Sequence, residues 1–165
     1  MVEVEGRTEP AEQISAIVLQ GMKKIVEKHI GRGEIPNLKA VVTVPAYFSA
    51  PQKKATKDAA EIAGLDCIRM ISEPNAAAMA AGFHEIDDDR MVLVFDLGGG
   101  TFDVSILNIT KGVISVESTG GDLACGGRDI DEALADYCLD VFLQLHGHDL
   151  KEDKRKRVAL SLACE

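Results

Sequence analysis

The residues best suited to chemistry in this sequence lie close together, in the stretch 92–106 (VLVFDLGGGTFDVSI). An apolar segment ends in Asp96, three glycines follow, and Thr101 and Asp103 open a second alternating segment. Glycines let backbone amides approach an anion without a Cβ in the way, and consecutive turn amides form an anion-binding nest. A nearby carboxylate suits a hydrated divalent cation that bridges protein oxygens to phosphate. The stretch therefore predicts a phosphate-binding loop with a magnesium-binding aspartate.

A tight β-hairpin that needs glycine for its backbone angles is the alternative interpretation of this stretch. Aspartate is disfavoured in strands, so Asp96 and Asp103 favour the phosphate loop. The loop has neither the G-x-x-x-x-G-K-[ST] pattern nor a G-x-G-x-x-G pattern that leads into a helix. Here the glycines lead into a strand.

The elements that must position this loop follow from hydrophobic periodicity. Apolar residues at helical spacing predict a helix over 11–30 that Gly31 ends. A strand over 39–44, a helix from the Ser49 cap to Ala63 and a strand over 66–71 form a βαβ unit, whose strands are expected to be parallel. The other predicted elements are a helix over 74–83, an antiparallel meander of strands 91–96, 101–108 and 112–119, a helix from Asp129 to Leu145, and a final helix from about Lys151.

The wording of three stretches resembles that of the Hsp70 family, within the superfamily of actin, sugar kinases and Hsp70 ATPases. They are DLGGGTFDVS at 96–105, AVVTVPAYF at 40–48 and ISEPNAAA at 71–78. The resemblance covers essentially all 165 residues. It implies an α/β fold, a partial actin-like ATPase (ribonuclease H-like) with mixed sheets flanked by helices. Residues 1–86 are then the C-terminal part of lobe I, and residues 87–165 the N-terminal part of lobe II, truncated in its last helix.

The same resemblance implies a nucleotide site for ATP or ADP with Mg²⁺ and K⁺. Asp96 would hold magnesium through water or orient the attacking water, and Asp103 would be the second catalytic carboxylate, which positions the water or a potassium ion. A solubilising charge at a strand edge is the alternative for Asp103. Contacts to the β- and γ-phosphates are implied for Gly98, Gly99, Gly100 and Thr101.

Outside the loop, the resemblance implies roles for five more residues. Glu73 precedes a helix-starting proline, where a carboxylate is favoured by roughly 0.3–1 kcal/mol, and in the family it would bond a magnesium water and report the nucleotide state. Pro45 would be a relay proline and Arg69 a contact for the interdomain linker and the J-domain partner; a strand terminator and a surface arginine are the alternatives. Gly126 and Gly127 would lie near the ribose and phosphates of the nucleotide.

Two segments depart from the usual family wording. The chain has Ser72-Glu73-Pro74-Asn75 where the family commonly has Asn-Glu-Pro-Thr, and it has Arg128 at a position that is often acidic. The phosphate loop is intact. The departures indicate a divergent member of the family.

Composition excludes several other classes of protein. The net charge of −9 argues against general nucleic-acid or acidic-membrane binding. No apolar run approaches the roughly 20 residues of a membrane helix. Residues 1–13 are polar and acidic, so no signal peptide is expected, and the cysteines, which match no zinc pattern, are expected to be small buried hydrophobes. A cytoplasmic location is the resulting expectation.

The sequence therefore predicts part of an Hsp70-type ATPase domain. In the parent protein, ATP binding and hydrolysis would drive binding and release of unfolded polypeptides, with a J-domain co-chaperone and a nucleotide exchange factor as partners. This segment alone is expected to hydrolyse ATP negligibly, because the family's first phosphate loop and catalytic lysine have no counterpart here. The alternatives are a sugar or acetate kinase, which is expected to lack the stretches 40–48 and 71–78, and a non-hydrolysing truncated or divergent regulator that binds nucleotide or chaperone partners.

Overall fold

The structure, a computed structural model, describes residues 1–4, 6–31 and 33–165, without the side chains of Val4 and Arg7. The chain divides into two compact units, Met1–Phe83 and His84–Glu165. Helices accompany both a parallel and an antiparallel sheet, so the predicted α/β class is confirmed and is compatible with a partial actin-like ATPase fold. The assignment of the two halves to lobes stays a prediction.

The first unit contains a small antiparallel hairpin followed by the βαβ unit. Its elements are β1 (Val2–Val4), β2 (Arg7–Glu9), α1 (Ala11–Ile30), β3 (Leu38–Val44), α2 (Ala50–Ile62), β4 (Leu65–Ser72) and α3 (Glu73–Ala80), with a 3₁₀ turn at Phe83–Glu85. Strands β3 and β4 are parallel, as predicted, and their register runs from Leu38 opposite Leu65 to Val44 opposite Ser72. The carboxyl ends of both strands therefore lie at the same edge.

The core of the first unit is built from small side chains where α1 and α2 meet. Ala16, Ala59 and Ala63 are buried together, and Leu19 and Leu65 pack against them. Alanine at these positions lets the two helices approach closely. The βαβ unit is thus held from one side by α1.

The second unit contains an antiparallel meander followed by two helices. Its elements are β5 (Arg90–Leu97), β6 (Phe102–Thr110), β7 (Val113–Asp122), α4 (Gly127–His146) and α5 (Lys154–Cys164). One face of β6 supplies the core, since Leu107 and Ile109 are fully buried. On the opposite face of the sheet, Leu93 and Phe95 of β5 are exposed. The side chains of Asp96 and Asp103 project on the same face as the buried residues.

Several element boundaries differ from the sequence-based expectation. The hairpin β1–β2 was not expected, and α3 ends at Ala80 because Gly82 takes a positive φ of 80°. Helix α5 begins at Lys154, since the Asp153 carboxylate caps the amides of the first turn. The cysteine prediction is wrong at Cys125, which is exposed, and the other three cysteines are only half-buried. None of the described helices is long and apolar enough to cross a membrane.

Candidate phosphate-binding site

Two aspartates face each other at the end of the β5–β6 hairpin. Asp96 is directly opposite Asp103 in the strand register, one pair before the residues that flank the turn. Opposed residues in an antiparallel pair have Cβ atoms about 5 Å apart, and like charges there are destabilising. Among the described residues no basic side chain forms an ion pair with either carboxylate. Within the described part of the chain, the pair is therefore an acidic site without a neutralising basic side chain.

The pKa of Asp103 reflects its partial burial and the position of Asp96 directly opposite it. Partial burial raises the pKa of the Asp103 carboxyl above its ordinary value, and the neighbouring charge of Asp96 raises this pKa further. Both effects disfavour the ionised form. A bound cation would reverse the second effect, since it would place positive charge between two carboxylates.

A glycine that the sequence reasoning missed makes room for Asp103. Gly121 lies opposite Asp103 on β7 and has a φ of 150°. A Cβ at this position would lie 2.2 Å from the Phe102 carbonyl oxygen and 3.2 Å from a carboxylate oxygen of Asp103. Only glycine fits. The available signal was the Gly120-Gly121 pair inside a strand, because glycine in a strand interior often marks a close approach.

The loop between the two aspartates presents amides without protein partners. The Gly98 amide donates to the Thr101 carbonyl at 2.8 Å, which closes the hairpin. In the described part of the chain, the amides of Gly99, Gly100 and Thr101 have no hydrogen-bond acceptor. Gly99 and Gly100 are also exposed. Three of the four predicted phosphate contacts are thus available to a ligand through their backbone N–H groups.

The first turn of α4 lies directly behind this loop. The Gly127 amide donates to the Gly98 carbonyl at 2.9 Å, and the Arg128 amide donates to the Gly99 carbonyl at 2.9 Å. The Gly126 amide donates to the Asp129 carboxylate at 2.8 Å. The predicted nucleotide contacts of Gly126 and Gly127 stay predictions, and the backbone N–H groups of both residues already have protein acceptors.

The donor set of the second unit fits a magnesium–phosphate complex. Mg²⁺ is usually held by one or two carboxylates together with substrate phosphates and waters, and the Asp96 carboxylate, with Asp103 opposite it, lies at the same hairpin end as the loop amides. In the described ranges no three His, Cys, Asp or Glu side chains group into a site that could hold a metal ion by themselves. The phosphate groups would thus complete the coordination.

The remaining predicted residues belong to the first unit. Val44 is opposite Ser72 in the parallel register, so Pro45 and Glu73 follow side by side at the carboxyl edge of β3 and β4. Glu73 is the first residue of α3 and is half-buried. Arg69 lies within β4 and is exposed. Pro45 and Glu73 each directly follow the last paired residues of β3 and β4, and Arg69 lies three residues before the end of β4.

Two side-chain oxygens near Glu73 are buried and have no partner among the described residues. Among the described residues, neither Ser72 Oγ nor Asn75 Oδ1 has a hydrogen bond, although both atoms are shielded from solvent. Ser72 is the N-cap residue of α3, yet its side chain makes no capping bond. These are two of the positions at which the sequence departs from the usual family wording.

In a comparison with known protein families, the family model described as Hsp70 protein matches residues 1–165, which is the whole chain. The match includes the glycine loop, both aspartates of the hairpin and the first turn of α4.

Proposed function

Because this chain belongs to the Hsp70 family, we propose that its glycine loop binds the phosphate groups of ATP or ADP together with Mg²⁺. The observation that carries the proposal is the pairing of Asp96 with Asp103 beside three amides that have no acceptor in the described part of the chain. Opposed carboxylates cost stability unless a cation joins them. Adjacent backbone amides without acceptors are suited to bind an anion.

Membership of the family supports a chaperone ATPase-type function for the parent protein. The finer proposal is that ATP hydrolysis there drives the binding and release of unfolded polypeptides, with a J-domain co-chaperone and a nucleotide exchange factor as partners. Nucleotide binding by this chain and hydrolysis by the parent protein are separable parts of the proposal. The first part can be tested on these 165 residues.

The residues of the second unit would contribute mainly position and charge. Bound Mg²⁺ neutralises charge on the phosphate oxygens. The amides of Gly99 and Gly100 donate to those oxygens, and the Thr101 hydroxyl is a further donor. Asp96 would hold a water of the hydrated metal. Asp103, whose pKa burial and Asp96 raise, would accept a hydrogen bond from the attacking water and thereby orient it.

For the first unit we propose that Glu73 accepts a hydrogen bond from a magnesium water and that the adjacent Pro45 responds to it. Ligands of open α/β sheets bind at the carboxyl ends of the strands, which is where both residues lie. Arg69 is proposed to contact the interdomain linker and the J-domain partner, and its exposure on β4 is compatible with this role.

Calorimetric titration of the chain with Mg-ADP tests the binding proposal. We expect saturable binding that weakens at least tenfold, or about 1.4 kcal/mol, when Asp96→Asn removes the metal-binding carboxylate or when EDTA removes the metal. Asp89→Asn is the matched control, because it removes the same charge from an exposed turn of the same unit. Binding that is equally strong in all three proteins and insensitive to EDTA would overturn the proposal.

A further inference from the structure

The first turn of α4 makes unusual hydrogen bonds for the start of a helix. The first amides of an α-helix have no intrahelical acceptor and commonly bond to side chains, water or ligands. Here the amides of Gly127 and Arg128 donate to two consecutive carbonyls of the glycine loop, those of Gly98 and Gly99. The positive end of the helix dipole therefore acts on the loop backbone.

These two hydrogen bonds fix the direction in which the loop amides point. Every peptide bond between described residues is trans, and in a planar trans peptide the C=O and the following N–H point in opposite directions. Since the carbonyls of Gly98 and Gly99 point toward α4, the amides of Gly99 and Gly100 point away from it. Two adjacent N–H groups are thereby aligned before any ligand arrives.

Contact between backbones keeps the loop against the helix. A Cβ on Gly126 would lie 2.5 Å from both the nitrogen and the Cα of Gly100, and 2.6 Å from its carbonyl carbon. Real Cβ atoms do not approach backbone this closely, so a side chain here must displace the loop. The neighbouring Gly127 differs, since its Cβ would lie 3.7 Å from the Gly99 Cα, an ordinary van der Waals contact.

We propose that the first turn of α4 is the positioning element of the phosphate loop, and that Gly126 is a positioning residue whose lack of a side chain lets the helix align the amides of Gly99 and Gly100. The proposal deepens the proposed function and rests on it for its ligand. Its structural part, the helix-to-loop hydrogen bonds, can be measured without any ligand.

Amide hydrogen exchange followed by NMR tests the structural part on the unmodified chain. We expect the amides of Gly127 and Arg128 to exchange at least about tenfold more slowly than those of Ala11 and Glu12, which open α1 and have no backbone acceptor in the described part of the chain. Equal exchange at the two helix starts would overturn the proposal, whether or not nucleotide binds.

Titration with magnesium pyrophosphate tests the functional part. Gly126→Ala is expected to weaken pyrophosphate binding at least about tenfold, and to remove the slow exchange of the Gly127 and Arg128 amides, because the loop is displaced. Gly21→Ala, in the open middle of α1, controls for the added methyl group and is expected to change the affinity by less than about threefold.

The outcomes separate the two proposals. If the Gly127 amide exchanges slowly but the unmodified chain binds no pyrophosphate, the helix-to-loop hydrogen bonds are supported. The proposal that the loop binds phosphate groups is then overturned. Equal affinities of Gly126→Ala and Gly21→Ala for magnesium pyrophosphate, in variants whose circular dichroism matches the unmodified chain, would overturn the positioning role of Gly126.

Discussion

Helix α4, which begins beside the glycine loop, and helix α3, which begins at Glu73, start in different ways. At the start of α4, the amides of Gly127 and Arg128 have acceptors in the glycine loop, and the loop is fixed by backbone alone. At the start of α3, Ser72 Oγ and Asn75 Oδ1 are buried without a partner among the described residues. The first arrangement is preorganised within its own unit. The second arrangement retains two buried oxygens without hydrogen bonds among the described residues. A water or ligand group placed there would gain hydrogen bonds to them.

This difference matters because preorganisation and stability are separate demands. Catalytic electrostatics work best when donors are already aligned, and two loop amides meet that condition. The opposed aspartates of the same hairpin instead cost stability in the absence of a cation.

The largest effect is expected at Gly121, which lies on β7 opposite Asp103 and is in close contact with the backbone of β6. Gly121→Ala places a Cβ 2.2 Å from the Phe102 carbonyl oxygen at a φ of 150°. We expect the free energy of unfolding to fall by about 3 kcal/mol or more, because both the contact and the backbone angle are unfavourable. Urea unfolding of the two proteins measures it. Gly99→Ala adds a methyl group in open space, and an equal loss in that variant would contradict the explanation.

The next effect is a gain in stability at the start of α3. Asn75→Ala removes a buried acceptor that has no partner in the described residues, and we expect the free energy of unfolding to rise by about 1 kcal/mol. Chemical denaturation is the measurement. A loss of similar size would show that Asn75 is already satisfied, for example by a bound water, and would remove the contrast with α4.

A matched substitution at α2 is expected to have the opposite sign. Gln52 occupies the same position in its helix as Asn75 does in α3, and its Oε1 accepts from the Ser49 amide at 2.8 Å and from the Ser49 hydroxyl at 2.9 Å. We expect Gln52→Ala to lower the free energy of unfolding by about 0.5–1 kcal/mol, as loss of a capping box does. If Gln52→Ala and Asn75→Ala change stability in the same direction, hydrogen bonding at this helix position does not explain either result.

The smallest effect concerns the pH dependence of the aspartate pair. The pKa of Asp103 is raised in the folded state, first by burial and then by Asp96, so its contribution to stability is full below the ordinary value of 3.8 and is lost as pH rises through the raised folded value. Asp103→Asn removes this loss of stability. At neutral pH without metal we expect the free energy of unfolding to rise by about a few tenths of a kcal/mol, seen as a slightly higher midpoint of thermal unfolding. Near pH 3 we expect no difference.

The double variant with Asp96→Asn is the control for the Asp103 experiment. If Asp96 contributes to the raised pKa of Asp103, the gain from Asp103→Asn shrinks in the Asp96→Asn background. A gain that is independent of pH would contradict the electrostatic explanation, and a gain that is unchanged by Asp96→Asn would assign the shift to burial alone.

Sequence patterns predicted the βαβ unit and the meander because apolar periodicity and glycine positions are local signals. Motif wording also selected Asp96, Asp103 and the loop as candidates, since residue type and spacing can be read directly from the sequence, and their binding role stays a prediction. What could not be predicted depends on contacts between distant segments. Gly121 opposes Asp103 only through the register of β7, and Gly126 meets Gly100 only because α4 begins behind the loop. The hairpin β1–β2 was missed because three-residue strands carry too little periodicity.

The central claim is that the glycine loop binds phosphate groups through amides that point away from α4. NMR titration of the ¹⁵N-labelled chain with magnesium pyrophosphate tests it most directly. We expect saturable shifts of the Gly99 and Gly100 amide resonances, while the Gly127 and Arg128 amides still exchange slowly. Saturable shifts confined to Gly127 and Arg128, or no shift in the loop at saturating magnesium pyrophosphate, would contradict it.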